Sequence, residues 1–270
     1  MARPLTPADR EFVDRTLKLN VINDDIGTRI VATVDILDGD HLTSLKVSAR
    51  ELCELRPAHP LSANLMATVW ALFQKRQGRI AMAHKEINSG KQSYTAYRRS
   101  HFLPVSFMRA IQADAGSNDI LDDYFPQGGV DFSSTYRLYC LDKLTPDGDD
   151  YCLVIVDFSM KSILYLDPTK DFDVYRSNPP AGAVEASNAL NAFLDHRMEA
   201  DSKVGHWNIS SAKFPTIKYP FQQNDFDSGI FAFIFVYYSV LECPIIIHPD
   251  DINRFRKQLA YWILKEYLPI

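Results

Sequence analysis

The chain switches between two hydrophobic periods. "TPADREFVDRTL" opens with Thr6 as an N-cap, Pro7 at the first helical position and Asp9 in the first turn, signals that predict a short helix. "RIVATVDIL" then alternates apolar and polar positions, which predicts a strand turned by Asp38-Gly39-Asp40. In "SARELCEL", Ser48 and Glu51 form a capping box, and "PLSANLMATVWALFQKR" follows with apolar residues at helical spacing, giving two consecutive helices.

In the middle of the chain the period falls to two. "STYRLYCLDKL", "DYCLVIVDF" and "SILYLDP" are β-rich runs separated by Thr145-Pro146-Asp147-Gly148 and Ser159-Met160-Lys161, the pattern of an antiparallel meander at the centre of a sheet. A helix around Val184 to Met198 and a strand at "GHWNIS" are expected next. "SGIFAFIFVYYSVLE" is apolar on every face and reads as a buried helix. "DDINRFRKQLAYWILKEYL" starts at Asp250 or Asp251 and places Ile252, Phe255, Leu259 and Trp262 on one stripe, an amphipathic closing helix. Helices, a sheet and a buried helix define an α+β domain.

Composition narrows the partners. With 270 residues and 46% hydrophobic content the chain can bury a substantial core. A net charge of −5 leaves no electrostatic footprint for nucleic acid or an anionic membrane. The longest apolar run, Ile230 to Leu241, is shorter than the roughly 20 residues of a membrane span. Cys53, Cys140, Cys152 and Cys243 form no C-x-x-C pair, which fits packed thiols in a reducing, intracellular setting, nucleus or cytoplasm. The seven histidines show no metal-ligand spacing, so neither metal nor cofactor is expected.

Chemistry concentrates where the buried helix begins. Free N–H groups and the positive dipole end near Ser228-Gly229 favour an anion or a thiolate. By itself Asp-Ser-Gly before a helix is an ordinary cap. The longer block, Pro220-x-Gln222-x-Asn224-x-x-Asp227-Ser228-Gly229, resembles the active-site block P-x-Q-x-N-x-x-D-C-G of the ubiquitin-like-protein-specific (SUMO or sentrin) cysteine proteases. The family's order of His, Asp, Gln and Cys is followed along the chain. "DDYCLVIVDFSMKSILYLDP" is similar to its His-Trp strand and the strand carrying its Asp, and "FRKQLAYWIL" resembles the closing helix of plant-type members. The resemblance runs from about Ser48 to the C-terminus, which leaves residues 1–47 as an N-terminal extension of a helix plus a strand and 48–270 as the protease-type domain. It implies a papain-like fold, a central, mostly antiparallel sheet packed on a buried helix that starts at the nucleophile.

The resemblance also assigns roles. Asp167 falls on the acidic member, Gln222 on the oxyanion donor, Ser228 on the nucleophile and Asp150 on the histidine. Tyr151 stands where tryptophan normally follows that histidine, Pro60 where a second tryptophan covers the modifier's Gly-Gly tail, and Trp207 and Gly229 complete the implied substrate contacts. A cysteine paired with His at a helix N-terminus is partly ionised near neutral pH, whereas a serine hydroxyl needs a general base. A carboxylate, with a reference pKa near ~4, is a weak base and lacks imidazole's two-ended geometry. Loss of hydrolysis is therefore expected. His206-Trp207 lies after Asp167, out of order for the base. One Cys-to-Ser exchange is enough to trap a substrate, so the further absence of the histidine points to inactivity by descent. Three readings follow: a pseudoprotease that binds a SUMO-type modifier or a modified partner, an active peptidase with a rearranged site, and an interaction scaffold that has lost the modifier site.

Overall fold

The computed structural model describes residues 4–18, 27–38, 41–88, 99–117, 120, 124, 135–144, 148–169, 181–200 and 220–268. Helix α1 (Pro7–Leu17) starts as its sequence predicts: the Thr6 hydroxyl accepts from the Asp9 amide, and the Asp9 carboxylate accepts from the Thr6 amide. It buries Val13 and Leu17 and is tied to the closing helix by Asp14 and Lys257, 2.7 Å apart. Strand β1 (Ile30–Asp38) pairs antiparallel with β2 (His41–Ser48). The region before residue 48 thus carries a hairpin where a single strand is expected from sequence. Val13, Leu17, Val34 and Val47 share one core with the helices and sheet that follow. The Ser48–Glu51 capping box opens α2 (Ala49–Cys53), and α3 (Ala63–Asn88) continues well past the predicted segment.

The main sheet has four strands in the order β3 (Arg99–Leu103), β4 (Thr135–Lys143), β5 (Tyr151–Asp157) and β6 (Ser162–Leu166). The meander from β4 to β6 is antiparallel as predicted, and β3 adds a parallel pairing on the far side of β4. The β5–β6 turn is closed by Asp157, whose carboxylate accepts from the Ser159 and Met160 amides and from the Ser159 hydroxyl.

Strand β5 is buried along its whole length because the sheet is covered on both faces. Tyr151, Leu153 and Ile155 point into the core formed with α3 and with α6 (Ser228–Val240), while Cys152, Val154 and Val156 point into a second core. That second core is built on α4 (Val105–Ala113) and α5 (Ala181–Ala200). The two-residue period of the strand thus sorts its side chains between two helical layers. Helix α6 is apolar all round because it is enclosed: every residue from Ser228 to Tyr237 is buried. Helix α7 (Ile252–Leu264), preceded by a 3-10 turn at Pro249–Asp251, closes the domain with Ile252, Phe255, Leu259 and Trp262 inward. The expected strand at "GHWNIS" and the residues Gly39, Asp40 and Thr145–Asp147 of the expected turns lie outside the described residues. Among the described residues no helix is long and apolar enough to cross a membrane.

Candidate active site

Four segments remote in sequence meet at the N-terminus of α6. Ser228 is the first residue of that helix, and its hydroxyl donates to the Asp149 carbonyl at 3.2 Å, so it abuts the end of the β4–β5 hairpin that carries Asp150. The hairpin closes through the Leu144 amide on the Asp150 carbonyl at 3.0 Å. Asp167 follows β6 directly and is 1% exposed, with its carboxylate accepting from the Thr169 amide at 2.7 Å and the Thr169 hydroxyl at 2.6 Å. The Gln222 amide donates to the Pro168 carbonyl at 2.6 Å, which pins the loop before α6 to the end of β6. Asp150, Asp167 and Gln222 line one cleft of about 850 Å³.

The loop holds its shape through a buried ion pair that sequence reasoning missed. Asp227 does not cap α6 with its side chain. Its carboxylate instead accepts from Arg256 of α7, at 2.6 Å from Nη2 and 3.1 Å from Nε, and from Asn224 Nδ2 at 2.6 Å. Arg256 is 1% exposed, and its guanidinium also donates to the carbonyls of Glu54, Arg56 and Phe226. One side chain therefore joins the closing helix, the turn after α2 and the loop before Ser228. The Asn and Asp of the block serve this scaffold, because the Asn224 side-chain oxygen also accepts from the Phe226 amide at 3.0 Å.

Gly229 is a place of close approach. A methyl group there meets the Leu61 side chain and the Met66 sulfur at 3.2 Å, so the segment carrying Pro60 runs against the start of α6. Pro60 itself is exposed. Tyr151 is fully buried and supports the site from behind, outside the cleft lining, with the Lys143 ammonium 5.5 Å from its ring centre. Trp207 and His206 lie outside the described residues.

No histidine or cysteine is found among the described residues that line the cleft. The cysteines are elsewhere. Cys140 and Cys152 are wholly buried, and burial pushes both thiols far up from their ordinary range. Cys243 is exposed beyond the other end of α6, about 20 Å from Ser228 by helix rise. The cleft also contains Asp142, which the sequence pattern hid in a strand. Burial pushes its carboxyl up to about 6, opposed by the Lys143 amide and the charge of Arg109.

A buried helix whose N-terminus meets a meander, with a Gln loop and an acidic residue converging on it, is the papain-like α+β architecture. Comparison with solved structures gives it a narrower form. The SUMO protease Ulp1 with its catalytic cysteine oxidised to a sulfonic acid superposes with a TM-score of 0.67 at 14% identity, covering 97% of each chain. The C-terminal Ulp1 protease domain in complex with Smt3, the yeast ortholog of SUMO, matches at TM-score 0.65 and 14% identity over 98% of each chain. The Ulp1-like SUMO protease catalytic domain of Chaetomium thermophilum matches at 0.66 and 13%, covering 99% of this chain and 92% of that one. No family model and no curated protein matches the sequence. The chain has the fold of the Ulp1-like SUMO proteases over nearly its whole length, including residues before 48.

Proposed function

We propose that this chain is a catalytically inactive relative of the SUMO proteases that binds a SUMO-type modifier or a modified partner. The observation that carries the reading is the pairing of Ser228 with the Asp149–Asp150 segment at the start of α6. The position of the nucleophile holds a hydroxyl that bonds to a backbone carbonyl, and the position of the base holds a carboxylate. Among the described residues that line the cleft no imidazole stands ready to take the hydroxyl's proton, and a cleft containing Asp142, Asp150 and Asp167 opposes the build-up of negative charge on an attacked carbonyl. In this reading Gln222 is the vestige of an oxyanion donor and Asp167 that of the acid that orients a histidine. The scaffold around the site, with Asn224, Asp227, Gly229 and the Arg256 anchor, is fully hydrogen-bonded or closely packed, which supports a surface held in shape for binding.

A thiol-dependent peptidase with a rearranged site is disfavoured by the burial of Cys53, Cys140 and Cys152 and by the distance of Cys243. The test is incubation of the unaltered chain with fluorogenic SUMO and ubiquitin tails and with a thiol-reactive modifier probe. No release and no adduct are expected. Release of a tail by the unaltered chain would falsify the assignment.

A further inference from the structure

The start of α6 is closed to an incoming chain. Ser228 is 1% exposed, and Gly229 and Tyr151 are buried as well. The Ser228 hydroxyl stands 3.2 Å from the Asp149 carbonyl oxygen to which it donates. A carbon atom keeps about 3.5–4.0 Å from each neighbour, so a chain threaded between these two residues needs a gap of roughly 7 Å. At Gly229 the Leu61 side chain and the Met66 sulfur lie 3.2 Å from the place of a Cβ, so that face is filled too. The cleft stops short of all three residues, since neither Ser228, Gly229 nor Tyr151 is found in its described lining. Oδ1 of Asp150 and Oε1 of Gln222 are likewise buried. What stays open nearby lies outside the positions of the chemistry: Phe221 is 36% exposed at the cleft, and Pro60 is exposed on the segment that meets α6.

We propose that the domain recognises a modifier by its folded body and leaves the C-terminal tail unread, so that intact, tail-truncated and conjugated forms bind alike. The inference rests on the reading of the domain as a binder of a SUMO-type modifier and narrows it to one part of that partner. A tail that makes no contact adds nothing to affinity, and a chain joined to that tail is neither selected nor rejected by it. The closure consists of packing and one hydrogen bond between uncharged groups, so local opening exposes Ser228 for a small fraction of the time. That fraction scales the reactions of any residue placed at 228 alike and leaves the ratio between two variants unchanged.

The closure is tested first without a partner. In the Ser228→Cys variant, shown to be folded by its melting curve, iodoacetamide should label the introduced thiol at least about 10²-fold more slowly than the exposed Cys243 of the same molecule, as for a group reached only by local opening. Peptide mass spectrometry separates the two sites, and in urea the two rates should converge. A thiol at a helix N-terminus is the more reactive of the two once solvent reaches it, so comparable or faster labelling in the folded chain overturns the closure and the proposal with it. The second arm is calorimetry of the unaltered chain with a SUMO-type modifier, with the same modifier lacking its two terminal glycines, and with one whose tail is fused to a folded protein. Dissociation constants within about twofold of one another are expected for all three. Weakening by about tenfold or more on truncation or fusion overturns the proposal. Binding to none of the three counts against the modifier reading, and against the body as the contact, while the labelling rates still decide whether the start of α6 is closed.

Discussion

Replacing Arg256 with alanine removes the one side chain that ties three segments to the loop before Ser228. Five contacts are lost: two to the Asp227 carboxylate and one each to the carbonyls of Glu54, Arg56 and Phe226. Asp227, 6% exposed, then keeps only Asn224 as a side-chain donor among the described residues, in a site built around a guanidinium. Breaking a buried pair from one side costs about 3–5 kcal/mol, a large part of the roughly 5–15 kcal/mol that holds a domain together. At about 2–4 °C per kcal/mol for a chain of this size, the melting temperature should fall by about 10 °C. Urea unfolding followed by circular dichroism measures the free energy directly, and a double-mutant cycle with Asp227→Asn isolates the pair. The double variant should be less destabilised than the sum of the singles, because each single strands one member of the buried pair and the double strands neither. A loss below about 1 kcal/mol for Arg256→Ala, in the range of a surface ion pair, or strict additivity in the cycle, would refute the role given to this residue.

Gly229→Ala should destabilise the fold by about 1–3 kcal/mol, since Leu61 and Met66 must give way at 3.2 Å and the cost exceeds the helix-propensity gain of alanine; urea unfolding measures it. Asp142→Asn should flatten the acid side of the stability curve. The folded state holds the Asp142 proton at a pKa of about 6, above the ordinary 3.8, so this group's contribution is present below about pH 4 and is lost as pH rises through about 6. The variant should then be the more stable by up to about 3 kcal/mol at pH 7, and show no advantage at pH 3, in unfolding curves at each pH. Its side-chain carbonyl can keep the bond from the Lys143 amide. Ser228→Cys combined with Asp150→His should raise hydrolysis of a cognate fluorogenic tail at least about 10²-fold over either single variant, the usual share of a general base. Equal rates in the single and double variants would remove Asp150 from the position of the base.

The block from Pro220 to Gly229 was legible because its spacing is a property of the chain alone, and α6 because thirteen residues without a polar face have no surface to lie on. The meander followed from the two-residue period and its turns. Arg256 was not legible. In "INRFRKQL" it is one of three basic residues on an amphipathic helix, and its acidic partner is 29 positions away. Asp142 lies among apolar neighbours of β4 and shows itself only when the cleft closes around it. Strand β3 was missed because "RSHFL" is short and pairs in parallel with a strand more than thirty positions later, with no hairpin turn to announce it. The resemblance implied a substrate contact at Tyr151, in the place of a tryptophan; alternation along β5 turns its side chain into the core, where it is fully buried.

The central claim is that the binding surface outlived the chemistry. The most direct measurement is a calorimetric titration of the unaltered chain with SUMO-type modifiers, ubiquitin and related modifiers at two salt concentrations. Saturable binding to a SUMO-type modifier, without cleavage, is the predicted result. Absence of binding to every member of the panel, from a chain shown to be folded by its melting curve, would contradict it.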